Sequence, residues 1–355
     1  MSERSSIGGG EVAGALEERV RADGLLAEGR AVVVLYSGGR DSTCLLDLAA
    51  RIAGPDAVVA LHLNYGLRDA AGADERHCAE LSARLGVQLE RRRPPRPARG
   101  NVQGWAREQR YRAARELAGA RGGDVAAGHT ASDQVETILY RLASSPSRRA
   151  LLGMRAREPL PAGEPLQGGE PVRTGEPVLV RPLLRFTREQ TAAYCRERGL
   201  AWREDQSNDS DRYARGRIRR RLVPALREIH PAAEANLLAL AELLRDEAEV
   251  LDELVDDLLE GRREVPLARL RALEPALCRL VVQRLADQAA GRPAPGTARR
   301  AAEIVALNER GRAALDLPHG VRAVAERGLL RFELTPPPPP RERPKNRRAK
   351  ARPIN

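Results

Sequence analysis

The segment best suited to chemistry is Ser37-Gly38-Gly39-Arg40-Asp41-Ser42, which has the composition of a phosphate-binding loop. Its two glycines allow a tight turn that brings backbone N–H groups close to an anion. Ser37 and Ser42 add hydroxyl donors, and Asp41 can hold a Mg²⁺ ion that bridges phosphate oxygens. Because the segment has no lysine and no Gly-Lys-Ser/Thr ending, it is not a Walker motif. It is therefore better suited to a pyrophosphate that leaves than to a transferred γ-phosphate.

This hexapeptide lies between a predicted strand and a predicted helix, so the helix N-terminus adds donors to the loop. The chain alternates β-branched runs, at 31–35, 57–63, 87–89 and 124–127, with helical patterns, at 42–52, 70–85, 102–117 and 132–142. This order predicts an α/β fold with a parallel sheet and helices on both faces. Ligands of such sheets bind at the carboxyl ends of the strands, where the hexapeptide lies. The alternative is an ordinary strand–helix turn in which Ser42 or Asp41 caps the helix.

The later sequence predicts a smaller, mostly helical α+β domain. Residues 155–180 are rich in Gly and Pro and predict a flexible, exposed loop. Helical patterns follow at 187–198 and 213–229, and a long helix from Pro231 to about residue 259 is typical of a connector. Helices at 267–289 and 296–307 and strands at 313–317, 321–325 and 329–334 complete the prediction.

We therefore predict four segments along the chain. Residues 1–28 form an N-terminal segment that is partly disordered and contains a helix. Residues 29–229 form the catalytic domain, and residues 230–335 form the helical connector and second domain. Residues 336–355 form a Pro-rich linker and a basic tail.

The basic charge of the chain is almost entirely arginine. The 355 residues include 60 Lys and Arg against 49 Asp and Glu, a formal net charge of +11, and Lys345 and Lys350 are the only lysines. The absence of lysine before position 345 excludes Schiff-base and Walker-lysine chemistry from the predicted domains. The basic tail favours a polyanionic partner, although basic tails also serve as solubilising ends.

The four cysteines lie far apart in the sequence, at Cys44, Cys78, Cys195 and Cys278. This spacing argues against a disulfide framework and against a clustered zinc or iron–sulfur site, and it fits a reducing compartment. The longest apolar runs are too short to span a bilayer, and no signal-peptide pattern opens the chain. We expect a soluble cytoplasmic protein without a membrane partner.

The hexapeptide resembles the pyrophosphatase loop of the N-type ATP pyrophosphatases. Further segments follow in order: 62–68 (HLNYGLR), 100–111 (GNVQGWAREQRY), 127–137 (AGHTASDQVET), 181–184 (RPLL), 202–208 (WREDQSN) and 215–219 (RGRIR). Together they resemble the tRNA(Ile)-lysidine synthetase family over about residues 32–229. A weaker resemblance extends to residue 333, where 315–320 (LDLPHG) is similar to the second, tRNA-binding domain of that family.

This resemblance implies a defined reaction. Enzymes of the family use ATP and Mg²⁺ to adenylate O2 of the wobble cytidine in tRNA(Ile) with a CAU anticodon. The ε-amine of free L-lysine then attacks C2 and expels AMP. Adenylation needs a metal and in-line positioning, whereas displacement needs an unprotonated amine beside a carboxylate. The implied partners are this tRNA and lysine, and a homodimer is among the states that the prediction allows.

The resemblance also implies roles for individual residues. Residues 37–42, with Asp41, would bind the ATP phosphates and the metal, and His62 would border the adenine. Asp133 and Glu136 share one helix face and are candidates for the lysine ammonium or a metal. His129, one turn earlier, would contact a phosphate or a base.

Several arginines are expected to meet anions. Arg107 and Arg110 share a helix face and suit a phosphate, and Arg107 is counted among the catalytic residues. The arginine-rich stretch 203–221 predicts contacts with tRNA, as single-stranded RNA loops require, through Arg203, Arg215, Arg217 and Arg219. The alternative for this stretch is a solvated basic face.

Two other functions compete with this reading. A tRNA 2-thiocytidine-type thiolase belongs to the same loop class, but its chemistry needs cysteine pairs that the scattered cysteines do not supply. A non-catalytic basic RNA-binding protein would have no use for the intact hexapeptide together with Asp133 and Glu136.

Overall fold

The computed structural model describes residues 11–67, 70–95, 97, 100–145, 148–160, 176–204 and 214–336. The chain divides into two compact units, residues 1–251 and residues 252–355. Several predicted features lie outside the described residues: the disordered start of the chain at 1–10, the middle of the Gly- and Pro-rich loop at 161–175, part of the arginine-rich stretch at 205–213, and the basic tail.

The first unit is built on a six-stranded sheet with the strand order β3-β2-β1-β4-β6-β5. Its strands are β1 (Val32–Leu35), β2 (Val58–Leu63), β3 (Gln88–Arg92), β4 (Asp124–Ala126), β5 (Arg157–Pro159) and β6 (Val178–Val180). All neighbours pair in parallel except β5 and β6, which are antiparallel. The predicted parallel α/β sheet is thereby confirmed.

Helices cover both faces of this sheet, which is why β1 is apolar along its whole length. They are α1 (Glu11–Ala22), α2 (Arg40–Ala53), α3 (Ala71–Arg84), α4 (Val102–Arg121), α5 (Ala131–Ser144), α6 (Arg188–Glu197), α7 (Ala214–Arg217), α8 (Val223–Ile229) and the first part of α9 (Ala233–Leu259). Successive residues of β1 point to opposite faces. Val33 packs in the core that contains α4, whereas Val32 and Val34 pack in the core that contains α2.

The N-terminal segment is not separate from the catalytic domain, which corrects the predicted boundary at residue 28. Helix α1 buries Ala13, Leu16 and Val20 in the same core as α2 and β1. The backbone N–H of Ala13 also donates to Glu197 at the end of α6, at 3.2 Å. An amphipathic helix of this length is stable mainly through such packing, so α1 belongs to the first unit.

The prediction of a flexible, exposed loop over residues 155–180 is wrong at both ends of this range. Residues 157–159 and 178–180 are the edge strands β5 and β6, and Leu179 and Val180 are fully buried. Leu179 pairs with Val125 of β4, so β6 extends the parallel sheet. Strands of three residues flanking a Gly- and Pro-rich stretch are too short to give a period-2 signal in the sequence.

The first part of α9 packs on the first unit, so the boundary between units lies within this helix and not at residue 229. Leu237 and Leu238 contact a small cluster formed by Val135, Ile218 and Val223. The Arg245 Nε also donates to the Leu152 carbonyl at 3.0 Å.

The second unit has its own core and a four-stranded antiparallel sheet in the order β7-β10-β9-β8. The elements are β7 (Glu264–Pro266), α10 (Leu267–Arg271), α11 (Pro275–Ala290), α12 (Ala301–Val305), β8 (Arg312–Leu317), β9 (Val321–Glu326) and β10 (Leu329–Leu334). The last three strands confirm the prediction, whereas β7 was missed. The single helix predicted at 267–289 is two helices, because Pro275 begins a new one.

Candidate active site

The hexapeptide forms a compact turn between β1 and the N-terminus of α2. The Ser37 and Ser42 hydroxyls lie 3.0 Å apart, and Ser42 Oγ donates to the Gly39 carbonyl at 2.9 Å. The backbone N–H groups of Ser37 and Gly39 donate to the Ser42 and Ser37 hydroxyls, at 3.3 and 3.4 Å. The first turn of α2 begins at Arg40, so its N–H groups and the helix dipole face the side on which an anion would bind.

Gly38 is required by the geometry of this turn. Its φ of +81° lies in the left-handed region, and a Cβ there would stand 3.0 Å from Cys78 Sγ. The Gly38 carbonyl accepts a hydrogen bond from the Arg203 N–H at 2.9 Å, so the segment after α6 runs beside the loop. Gly128, after β4, lies equally close to α2, since a Cβ on it would be 2.9 Å from the Asp41 carbonyl oxygen.

Asp41 is held at the start of α2 by three side chains. Thr191 Oγ1 donates to Oδ1 at 2.5 Å, and Arg40 Nε donates to the same oxygen at 3.0 Å. Arg188 Nε lies 3.9 Å from Oδ2. The Asp41 side chain keeps about a fifth of its surface exposed, so the carboxylate remains partly accessible to solvent.

Arg188, the first residue of α6, brings together all three acids that the sequence singled out. Its Nη2 donates to Asp133 Oδ1 at 2.5 Å and its Nη1 to Glu136 Oε1 at 2.7 Å. Burial alone would lower the pKa of Arg188, but Asp133, Glu136 and Asp41 outweigh it and raise the pKa. Arg188 therefore carries a permanent charge between the hexapeptide and α5.

Besides Arg188, Asp133 and Glu136 have different hydrogen-bond partners. Asp133 Oδ2 accepts from the N–H and the hydroxyl of Thr130, both at 2.9 Å, and completes the capping box of α5. Burial would raise the pKa of Asp133, but the Arg188 guanidinium and the Thr130 N–H lower it. Glu136 is 3% exposed and also binds Arg219, whose Nε and Nη2 lie 2.7 and 3.3 Å from its two oxygens.

His129 lies after β4 and is neutral at physiological pH. Arg181 Nε donates to His129 Nδ1 at 3.2 Å, so the imidazole proton is on Nε2. Burial lowers the pKa of His129, and the nearby Arg181, Arg215 and Arg110 lower it further, against the opposing effect of Asp133, to about 4. A neutral imidazole can donate one hydrogen bond from Nε2 to a phosphate or a base.

His62 lies at the end of β2, but its side chain is buried. Its Nδ1 is 3.0 Å from the Tyr36 carbonyl and 3.4 Å from Cys78 Sγ. Cys78 in turn supports the hexapeptide beneath Gly38. The His62 ring thus supports the loop from below, and an adenine would meet the backbone of this strand end instead.

Arg107 and Arg110 are exposed on α4. The Arg107 guanidinium lies over the Tyr111 ring at 4.8 Å from its centroid, and Arg110 Nε donates to the Tyr65 hydroxyl at 3.4 Å. Burial lowers the pKa of Arg141 on α5; Glu158 opposes this effect, and the nearby Arg215, Arg181 and Arg107 add to it. Arginines outnumber acids around Arg141, which suits an anion.

The four arginines predicted to contact tRNA have different surroundings. Arg203 pairs with Asp74 beside the hexapeptide, and Arg219 turns inward to Glu136. Arg215 and Arg217 are exposed on α7, directly after the segment that lies outside the described residues. Arg219 lies in a π-helical turn, Ile218–Leu222, a rare element that is frequent at functional sites.

Sequence reasoning missed Arg188 and Thr191, and it included Arg181 in the segment 181–184 without giving it a role; all three organise the site. Arg181 is 3% exposed and donates to Glu158 Oε1 at 2.5 Å, in addition to its contact with His129. The only signal for Arg188 and Thr191 is the capping box of Thr187 and Gln190, which marks the start of α6 but not where its side chains point. Within the described ranges, no group of three or more His, Cys, Asp or Glu side chains is placed to hold a metal.

The chain is similar to known proteins along most of its length. The PP-loop domain family matches residues 13–226. The tRNA(Ile)-lysidine synthase of Symbiobacterium thermophilum is 34% identical over 91% of this chain and 69% of its own length. That of Salinispora tropica is 34% identical over 84% of this chain and 89% of its own length. The chain belongs to the tRNA(Ile)-lysidine synthase family.

The predicted family is thereby confirmed, and the protein is an ATP-dependent ligase. The U34-tRNA thiolase NcsA from Methanococcus maripaludis with its [4Fe-4S] cluster has a similar fold, with a TM-score of 0.52 and 14% identity over 66% of this chain and 79% of that chain. That likeness concerns the fold alone. Among the helices of the described residues, none has the length and apolar character needed to cross a membrane.

Proposed function

We propose that this protein attaches free L-lysine to C2 of the wobble cytidine of tRNA(Ile) with a CAU anticodon and releases AMP and pyrophosphate. One observation carries the proposal beyond family membership. Arg188 joins the phosphate-binding hexapeptide to the two carboxylates of α5, with contacts of 3.9 Å to Asp41 and 2.5 Å to Asp133. The residues suited to adenylation and those suited to an amine therefore lie at one edge of the sheet.

The first step uses the hexapeptide. Its hydroxyls and the first N–H groups of α2 would hold the ATP phosphates, with the N-terminal helix dipole opposing their charge. Asp41 is suited to be the single protein ligand of Mg²⁺, because Mg²⁺ commonly takes one carboxylate together with phosphates and waters. The ion would neutralise charge on the departing pyrophosphate. Arg107 and neutral His129 would contact the nucleotide from the opposite side.

The second step uses the carboxylates of α5. Asp133 and Glu136 are the proposed binding site for lysine, because Arg188 links these two acids, one partly exposed and one buried, to Asp41. Arg203, Arg215 and Arg217 remain the proposed tRNA contacts, whereas Arg219 is engaged by Glu136. The second unit and the basic tail are proposed to bind the same tRNA, and a homodimer remains a prediction.

The thiolase alternative is not favoured. The relatives at 34% identity are lysidine synthases. All four cysteines are buried and free, and Cys78 and Cys195 contact neighbouring side-chain or backbone atoms of the core. A non-catalytic role is not favoured either, because the complete hexapeptide and the acids joined by Arg188 would serve no purpose in it.

The test is transfer of labelled lysine to tRNA with a CAU anticodon in the presence of ATP and Mg²⁺. We expect label in the tRNA with the wild type and none when ATP is omitted. A tRNA with a guanosine at the wobble position is the matched control and accepts no lysine. Absence of transfer to the CAU tRNA would refute the proposed function.

A further inference from the structure

Helix α9 is acidic, in contrast to the basic chain to which it belongs. Its 27 residues carry nine Asp and Glu side chains and one arginine, Arg245. The chain as a whole has a formal net charge of +11, so the two signs of charge are segregated. A helix of this charge repels the phosphates of tRNA, and the exposed side of α9 is therefore unsuited to the proposed RNA substrate.

An exposed apolar stripe runs along the same helix for about four turns. It consists of four side chains that are between 46% and 65% exposed and recur at the three-, four- and seven-residue spacing of one helix face: Leu240, Leu243, Val250 and Leu254. Exposed apolar side chains that occur singly are ordinary, but a contiguous stripe marks an interaction surface.

Carboxylates border this stripe. Three of these acids are exposed and form no ion pair with any side chain in the described part of the chain: Glu247, Glu253 and Asp257. Two others, Asp252 and Asp256, are held by Arg284 at 3.0 and 2.6 Å. Apolar side chains beside unpaired carboxylates fit the aliphatic stems and charged heads of arginine and lysine.

The end of the same chain has the complementary composition. Residues 341–355, the basic tail, hold seven Arg and Lys side chains against one acid, Glu342. A second copy of α9 would instead bring like charges together, which opposes pairing of this helix with itself. Charge complementarity therefore favours the basic tail over a second copy as the partner of the stripe.

The basic tail is also long enough to reach the stripe. Phe332, near the end of β10, packs in the same core as Val255 and Leu259 of α9. The stripe from Leu240 to Leu254 is about 21 Å long. The 19 residues after Pro336 span up to about 60 Å when extended.

We propose that the apolar stripe of α9, with its bordering acids, is the docking site of the chain's own basic tail. Arginine and lysine stems would lie on the leucine and valine side chains, and their charged heads would meet Glu247, Glu253 and Asp257. The inference goes beyond the proposed function, because it concerns the protein without tRNA. Binding of the basic tail to tRNA then requires its release from α9.

The scarcity of lysine makes this contact measurable, because Lys345 and Lys350 are the only lysines and both lie in the basic tail. A carbodiimide joins amines to carboxylates without a spacer, and mass spectrometry identifies the joined peptides. In the full-length protein without ATP, lysine or tRNA, we expect these two lysines to be joined to acids of α9 at least about fivefold more often than to acids of any other helix. Crosslinks spread evenly over the exposed acids, or absent from α9, would overturn the proposal. Neither result bears on the proposed function, since no substrate is present.

A variant of the stripe separates docking from simple charge attraction. Leu243→Ser combined with Val250→Ser removes two exposed apolar side chains and leaves every acid of α9 in place. We expect the yield of crosslinks to α9 to fall at least about fivefold. Leu142→Ser, which removes a 56% exposed side chain of α5, is the matched control and should leave the yield unchanged. An unchanged yield in the double variant would overturn docking on the stripe.

Isotope labelling identifies the chain that supplies the basic tail. In a mixture of unlabelled and nitrogen-15-labelled protein, crosslinks from Lys345 or Lys350 to α9 should join peptides of the same isotope. Mixed-isotope crosslinks at the frequency of random pairing would show that the tail comes from a second copy, and would overturn docking within one chain.

Discussion

The hexapeptide lies at the same edge of one sheet as the four-charge cluster, by which we mean Asp133, Glu136, Arg188 and Arg219. The two are built in opposite ways. The hexapeptide is organised by hydrogen bonds among residues at most five positions apart, from Ser37 to Ser42. The cluster is organised by side chains that are 52 to 83 positions apart in sequence. The first is shaped mainly by its own short-range hydrogen bonds, to which Thr191 and Arg203 add contacts from later in the chain. The second exists only when α5, α6 and the π-helical turn are assembled.

This difference corresponds to the two steps of the proposed reaction, adenylation at the hexapeptide and lysine attack at the cluster. A loop shaped by its own backbone can be preorganised for phosphates before any other substrate binds. A cluster held together by exchangeable ion pairs can accept a charged substrate by exchanging partners. The following predictions test this contrast, from the largest expected effect to the smallest.

Removing the Asp41 carboxylate should have the largest effect. Asp41→Ala is expected to reduce tRNA-dependent pyrophosphate release by at least about 100-fold, because the proposed metal ligand is lost. The matched control is Asp56→Ala. Asp56 is an exposed acid in the turn directly before β2, at the edge of the sheet away from the hexapeptide, and its loss should leave the rate unchanged. A rate for Asp41→Ala close to that of the wild type would refute the metal assignment.

Breaking the cluster should destabilise the first unit. Arg188→Gln leaves Asp133 without its guanidinium and Glu136 with one of two, so the free energy of unfolding should fall by about 3 kcal/mol. Arg300→Gln breaks an exposed pair with Glu303 and should leave the free energy of unfolding almost unchanged, because solvent screens such pairs. Denaturant unfolding measures both, and equal losses would show that the cluster contributes no more than a surface pair.

The half-buried imidazole of His129, close to Asp133, should make stability depend on pH. The pKa of His129 is lowered to about 4 in the folded protein, so between its ordinary value and 4 only the unfolded chain takes up the proton. Stability should therefore fall as the pH falls through this window. The wild type should lose about 2 kcal/mol more than His129→Gln between pH 7 and pH 4. Parallel pH profiles of the two proteins would contradict the lowered pKa.

The smallest loss of stability is expected from a substitution that strains the backbone of the hexapeptide. Gly38→Ala should cost about 1–2 kcal/mol, since the residue is left-handed and its Cβ would press on Cys78. Gly54→Ala, with φ of +91° and no atom within 4 Å of the added Cβ, isolates the backbone strain and should cost about 1 kcal/mol. ATP affinity should fall only for Gly38→Ala, and an equal fall in both variants would refute a loop-specific effect.

The same contrast explains what the sequence could predict. The sheet, its helices and the hexapeptide follow from local patterns, and so does the start of α6 at its capping box. The strands β5, β6 and β7 have three residues each and give no periodic signal. The function of Arg188 could not be predicted, because one arginine among 58 acquires it only through contacts more than 50 positions away.

The central claim is that the hexapeptide serves adenylation and the four-charge cluster serves lysine. The most direct test measures pyrophosphate and AMP release in the same reaction with CAU tRNA, ATP and lysine, for Asp41→Ala and for the isosteric Glu136→Gln. We predict that Asp41→Ala releases neither product, whereas Glu136→Gln releases a first equivalent of pyrophosphate and is slow in lysine-dependent AMP release. Equal loss of pyrophosphate release in both variants, or wild-type AMP release by Glu136→Gln, would contradict the account.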